Sequence, residues 1–148
     1  MSGDIFDRIM SLPGLKKLYP WYAKHKEILL YIFFGGCATV VSIGTFWAFD
    51  LLTDPLIANI LSWVITVGFA YLTNRTWVFA SKAAGKAVWA ELGAFYAGRL
   101  LTLGLEEGIL LVFINLLHFP ALPVKIAGQF LVLAGNYVIS KLLIFRKK

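Results

Sequence analysis

From Ile28 to Phe49 the chain runs 22 residues without a charged side chain. At ~1.5 Å rise per residue a helix of that length crosses a ~30 Å hydrocarbon core. Three further apolar stretches follow at short intervals, so spans are expected at about 28–49, 56–79, 88–117 and 123–145. Composition agrees: 59% of residues are hydrophobic and 15% charged, against roughly 45–50% and ~25% in soluble domains. The sequence therefore predicts an all-α integral membrane protein with four transmembrane helices. Cys37, the single cysteine, lies in an apolar run, which excludes an internal disulfide and a cysteine metal cage. In so apolar a chain the net charge of +6 reads as topology signals and lipid-headgroup contacts, and nucleic acid is not an expected partner.

Residues 1–26 are basic and amphipathic. Ile5, Phe6, Ile9 and Met10 fall at helical spacing before Pro13-Gly14 breaks the run, and Lys16, Lys17, Lys24 and Lys26 follow among aromatics. A signal peptide would have an apolar core and a small-residue cleavage site, so a segment lying on an anionic membrane surface is expected instead. Residues 27–146 then form the membrane domain. Thr53 or Asp54 is the expected cap of the second span. Arg8, Lys16, Lys17, Lys24, Lys26, Arg75, Lys82, Lys86, Lys141, Arg146, Lys147 and Lys148 fall on one side of a four-span arrangement. The opposite loops carry Asp50, Asp54 and His118, with Lys125 as their one cation. The positive-inside rule places both termini in the cytoplasm.

The third stretch, Glu91 to Leu117, carries Arg99, Glu106 and Glu107 well inside. A charge at mid-membrane costs at least ~2.5–3.5 kcal/mol and needs a partner or a watery cavity. Arg99, Thr102 and Glu106 share one helical face, as do Asn59, Ser62 and Thr66 in the second span. Gln129, Asn136 and Ser140 line the fourth span, and Gly35, Thr39 and Ser42 the first. Such stripes serve either as helix-packing seams or as the lining of a polar groove. Arg99 and Glu106, two turns apart, are either a neutralised pair or a binding site; Glu107 lies off their line.

Offset by 66 residues, AYLTNRTWVFASK (Ala70 to Lys82) lies over NYVISKLLIFRKK (Asn136 to Lys148), so that Arg75 meets Lys141 and Phe79 meets Phe145. Two tandem helical hairpins forming a parallel repeat are expected. The Gly35-Gly36 first span, the Asn74-Arg75-x-Trp77-Val78-Phe79 exit and the basic fourth-span exit together resemble the GtrA-like family over residues 28 to 146. The chain departs from that pattern at Ser140-Lys141, where the first half has Asn-Arg. The resemblance implies a small four-span protein of the cell inner (cytoplasmic) membrane. It would flip a polyprenyl-phosphate-linked sugar, or polyprenyl phosphate, for cell-surface polysaccharide glycosylation, beside a membrane glycosyltransferase.

For such a substrate, Arg99 would offer a forked guanidinium to phosphate, and Arg75 and Lys141 would meet it at the cytoplasmic exit. Glu106, Glu107, Thr102, Asn59, Thr66, Asn74, Gln129 and Asn136 would replace water around sugar hydroxyls. Cations at the exit also snorkel and set topology. Trp63, Trp77, Tyr71 and Tyr137 either stack on sugar rings or anchor the spans. Four helices barely enclose a sugar-sized path, so a laterally open groove or a homo-oligomer is expected. Two alternatives stand beside this one: a proton-coupled multidrug-type exporter using Glu106-Glu107, and an accessory subunit anchoring a glycosyltransferase. No enzyme activity and no cofactor or metal are expected, because His25 and His118 fall on opposite sides and no nucleotide or nucleophile motif occurs.

Overall fold

The structure, a computed structural model, describes residues 3–146, without the side chains of residues 55, 56, 121, 122, 125, 126 and 129. The Lys125 and Gln129 side chains, and Lys147 and Lys148, therefore lie outside the described residues. Every regular element among those residues is helical. The chain forms two compact units, Met1–Ala80 and Ser81–Lys148.

In the first unit, α1 (Ile5–Met10) starts on a capping box: Asp4 Oδ1 accepts from the Phe6 and Asp7 N–H groups, and Asp7 Oδ2 accepts from the Asp4 N–H. It packs back against α2 (Tyr19–Asp50), where Phe6 meets the edges of Phe33 and Phe34 at 5.9 and 5.6 Å. Lys26 Nζ lies 2.7 Å from both Asp4 Oδ2 and Asp7 Oδ2. Burial pushes the Asp4 carboxyl up, but the Lys26 hydrogen bond and charge and the backbone N–H groups outweigh it and hold Asp4 below its ordinary 3.8. Burial likewise pulls Lys26 down, and the two carboxylates overcome it and raise the amine above 10.5.

The depressed Asp4 contributes stability that is complete above its ordinary value and lost as pH falls through the depressed one. The raised Lys26 contributes below 10.5 and is lost as pH climbs past its raised value. A nitroxide on Ile9→Cys, with Cys37→Ser, is therefore expected to be slow between about pH 4 and pH 10 and to become mobile only as pH falls well below 3.8 or rises well above 10.5. Lys26→Met should free it at pH 7; an unchanged line shape throughout would show that the cluster does not hold α1.

At about 1.5 Å per residue the 32-residue α2 is ~48 Å long, well beyond a ~30 Å bilayer core, so its basic first turns project from the span. Asp54 accepts from the Ile57 N–H and caps α3 (Pro55–Thr73), while the Thr53 hydroxyl turns back to Phe49 O. The α2–α3 seam closes on Ser62, which is 1% exposed: its Oγ donates to Ser42 O at 2.7 Å and lies 2.9 Å from Thr45 Oγ1. Gly35 and Gly36, by contrast, do not mark a close approach, since a Cβ on either meets nothing within 4 Å. A π turn, Asn74–Val78, ends the unit.

The second unit begins with a loop tied to α4 (Lys86–Leu110), where the Ser81 hydroxyl donates to the buried Glu91 carboxylate at 2.6 Å. A π turn (Leu111–Leu116) extends α4, α5 (Ala121–Ile139) returns, and a further π turn, Ser140–Ile144, closes the unit. Phe95, 1% exposed, meets the Phe145 ring at 5.9 Å.

Among the described residues two helices, Tyr19–Asp50 and Ile57–Val78, are long and apolar enough to cross a membrane. Many of their apolar side chains lie outside the core: Val40 is 71% exposed and Trp47 65% on the first, Ile60 53% and Leu72 59% on the second. Exposed apolar side chains also occur on α4 and on the described part of α5, which suits a lipid solvent and not water. The fold is thus an all-α membrane domain.

Candidate functional site

Arg99, Thr102 and Glu106 occupy two turns of α4, and the structure treats them differently. Arg99 is half-buried, with its guanidinium carbon 4.7 Å from the centre of the Phe95 ring one turn earlier. That face-on placement is a cation–π contact, strongest where water is excluded. Thr102 is 3% exposed; its Oγ1 lies 2.7 Å from Asn136 Oδ1 on α5 and 3.0 Å from Arg99 O. Glu106 is half-buried, and Glu107 faces outward, exposed, consistent with its place off the Arg99 line.

The α4–α5 seam therefore brings two candidate residues, Thr102 and Asn136, into direct contact. Close approach at Gly98 makes this reachable: a Cβ there would lie 3.1 Å from Ile139 Cγ2. Lys141, in the following π turn, is exposed and donates to Tyr137 Oη at 3.2 Å.

In the first unit Asn59 is exposed, whereas Ser62, three residues on, is buried in the α2–α3 seam. Thr66 is half-buried, and its shielded Oγ1 has no hydrogen-bond partner. Asn74 is 3% exposed; its Nδ2 donates to Ala70 O at 2.7 Å, while its Oδ1 is shielded and unpartnered. A buried acceptor left without a donor is costly, on the order of 1–3 kcal/mol, so these two oxygens are points where a donor would be favoured. Arg75, next in the chain, is half-buried. Trp77 stacks on Phe34 at 5.3 Å, and Tyr71 is buried, so both are engaged in packing within the unit.

Two features carried no flag in the sequence as read above. Glu91 bounded an apolar stretch without a role, yet it is a buried carboxylate bonded to Ser81. Phe95 sits four residues before Arg99, the spacing at which helical side chains stack, and that spacing was the available signal. Among the described residues no group of three or more His, Cys, Asp or Glu side chains is placed to hold a metal ion.

Comparison with known proteins gives the chain its relatives. A cell wall teichoic acid glycosylation protein, GtcA, of Listeria monocytogenes is 37% identical over 133 residues, covering 87% of this chain and 92% of that protein. The Listeria innocua protein of the same name is 37% identical over 134 residues, covering 86% and 90%. A membrane protein of Bacillus subtilis, YwcD, is 31% identical over 121 residues, covering 80% and 95%. The family described as GtrA/DPMS, transmembrane domain, matches residues 30–145, which takes in α2 from Leu30 onward, the second long apolar helix, the Arg99 face of α4 and the two π turns that end the units. This chain belongs to the GtrA/DPMS transmembrane-domain family.

Proposed function

We propose that the protein flips a polyprenyl-phosphate-linked sugar, or polyprenyl phosphate itself, across the inner membrane to supply glycosylation of a cell-wall polymer. The observation that carries this is the kinship with proteins named for cell wall teichoic acid glycosylation, along about nine-tenths of their length. The polar chemistry of α4 supports it. A lipid-linked sugar needs a cation for its phosphate, donors and acceptors for its hydroxyls, and an open apolar flank for its tail. Arg99 meets the phosphate through its fork, while Thr102, Asn136 and Glu106 of the same unit meet hydroxyls. The tail stays among the exposed apolar side chains, in lipid. Binding, exclusion of water and movement require no covalent step, so the role is non-catalytic, and a membrane glycosyltransferase takes up the product.

In this proposal four spans cross the membrane with both termini in the cytoplasm, as the loop charges favour. Residues 1–26 lie on the cytoplasmic surface, where Leu12, Leu18 and Trp21 are exposed beside Lys16, Lys17 and Lys24. Two parallel hairpins fit the 66-residue spacing of the π turns at Asn74–Val78 and Ser140–Ile144. Reconstitution tests the function. In liposomes with a fluorescent polyprenyl-phosphate sugar, the protein is expected to expose inner-leaflet label to a membrane-impermeant quencher faster than protein-free liposomes do. No acceleration, with cell-wall glycosylation still dependent on the protein, would replace flipping by an accessory role.

A further inference from the structure

The two unit-closing π turns resemble each other more closely than their sequences do. Asn74–Val78 and Ser140–Ile144 stand in register at the 66-residue offset. Each is closed by the N–H of the phenylalanine that follows: Phe79 to Asn74 O at 2.8 Å, Phe145 to Ser140 O at 2.7 Å. Each opens on a buried polar residue, Asn74 or Ser140, and is followed by a buried ring, Phe79 or Phe145. Each ring meets an aromatic on the other long helix of its own unit, Tyr31 at 6.5 Å or Phe95 at 5.9 Å.

The geometry explains why the turn is a π turn. In an α-helix residues i and i+5 point about 140° apart, so Asn74 and Phe79 could not both enter one seam. A turn closed i→i+5 brings the fifth residue back towards the first. Closing the turn does not by itself call for a cation at the second position. Each turn carries one cation, and in both it stands there: Arg75, half-buried, and Lys141, exposed. Snorkelling or topology would accept a cation anywhere near the exit. The third π turn, Leu111–Leu116, has no cation and no counterpart 66 residues earlier, where α2 is regular. The cation is thus a property of the matched pair and not of π turns as such. π turns are rare, under about 1% of residues, and recur at functional sites.

From this we infer that each unit carries its own docking station for a lipid phosphate, Arg75 in one and Lys141 in the other, so that one chain holds two prenyl-phosphate headgroups at once. The inference rests on the flipping proposal for its ligand class and goes beyond it in number. Arg and Lys differ in fork against point charge, yet both serve a phosphate, which accounts for Lys141 standing where the first half has arginine.

Native mass spectrometry of the full chain in detergent, with farnesyl phosphate as probe, tests it. In an Arg99→Ala background, which removes the phosphate contact of α4, two probes per chain are expected with both cations in place, one after Arg75→Gln, one after Lys141→Gln and none after both. Arg75→Lys and Lys141→Arg should keep two, which separates lost charge from lost fold. Farnesol and inorganic phosphate should not bind, and phosphatidylglycerol should not displace the probe. One probe per chain, two that survive the double variant, or equal displacement by phosphatidylglycerol would overturn the inference. Liposome flipping with a single bound probe would overturn the pair of stations while leaving the flipping proposal intact. Two charge-dependent probes without flipping would do the reverse.

Discussion

Arg99→Ala is expected to slow movement of the lipid-linked sugar by about 10- to 100-fold, because a hydrogen bond to a charged group contributes ~1.5–3 kcal/mol and every ~1.4 kcal/mol is a factor of ten. The guanidinium stands over the Phe95 ring on a half-buried face of α4, so truncation removes the cation while the ring remains buried at the seam. Arg99→Lys keeps the charge but loses the planar fork, and should fall between the alanine variant and wild type. Glu106→Gln keeps a hydrogen-bonding shape without the charge and should slow movement by about tenfold or less. Exposed Glu107→Gln should stay within about twofold, as surface substitutions generally do. The double variant Arg99→Ala/Glu106→Gln separates the two roles of the pair. If the two charges only neutralise each other, removing both restores what either single change loses, since no uncompensated charge is left in the membrane. If they bind substrate, the double variant is worse than both singles. Wild-type movement in both single variants would remove Arg99 and Glu106 from the mechanism altogether.

How far the sequence foretold this arrangement depends on what kind of information each residue needed. Apolar run lengths placed the helices, because lipid rewards apolar surface wherever it lies. They marked the end of the lipid-facing part, not of the helix: α2 begins at Tyr19, nine residues before Ile28, since Lys24 and Lys26 leave the membrane without interrupting a helix. The Asp54 cap was legible because capping is local. Thr102 and Asn136 were each marked as polar in an apolar run, but their contact was not, since pairing of helix faces is tertiary. The glycines show the same limit. Gly35, in a stripe that read as a packing seam or a groove, has open space at its Cβ position, as Gly36 does, while isolated Gly98 is crowded. The π turns left no local trace, as they answer to where Phe79 and Phe145 must pack. Their one echo was the 66-residue alignment.

Gly98 carries the largest expected effect on the fold. The α4–α5 seam holds it against Ile139 Cγ2 at 3.1 Å and Ile144 Cδ1 at 3.5 Å from where a Cβ would stand. Ile139 is β-branched and stiff at χ1, so it yields little without moving α5. Gly98→Ala should therefore destabilise by about 1 kcal/mol, and Gly98→Leu by about 3 kcal/mol or more, the range of overpacked cores. For a small domain ~1 kcal/mol shifts Tm by roughly 4–8 °C, so the leucine variant should melt at least about 10 °C lower in detergent. Gly104, on the same helix, has nothing within 4 Å of its Cβ position, and Gly104→Leu should not lower Tm. Ile139→Ala makes room beside Gly98, so the double variant Gly98→Ala/Ile139→Ala should be more stable than the two single losses predict. Because Gly98 immediately precedes Arg99 and its carbonyl lies 3.2 Å from Thr102 Oγ1, a seam forced apart here also swings the guanidinium off its setting. Gly98→Ala should thus slow lipid movement by more than its loss of stability explains, when assayed well below its Tm. Equal melting of the Gly98 and Gly104 leucine variants would show that α4 and α5 do not meet at Gly98, and the contact between Thr102 and Asn136 would fall with it.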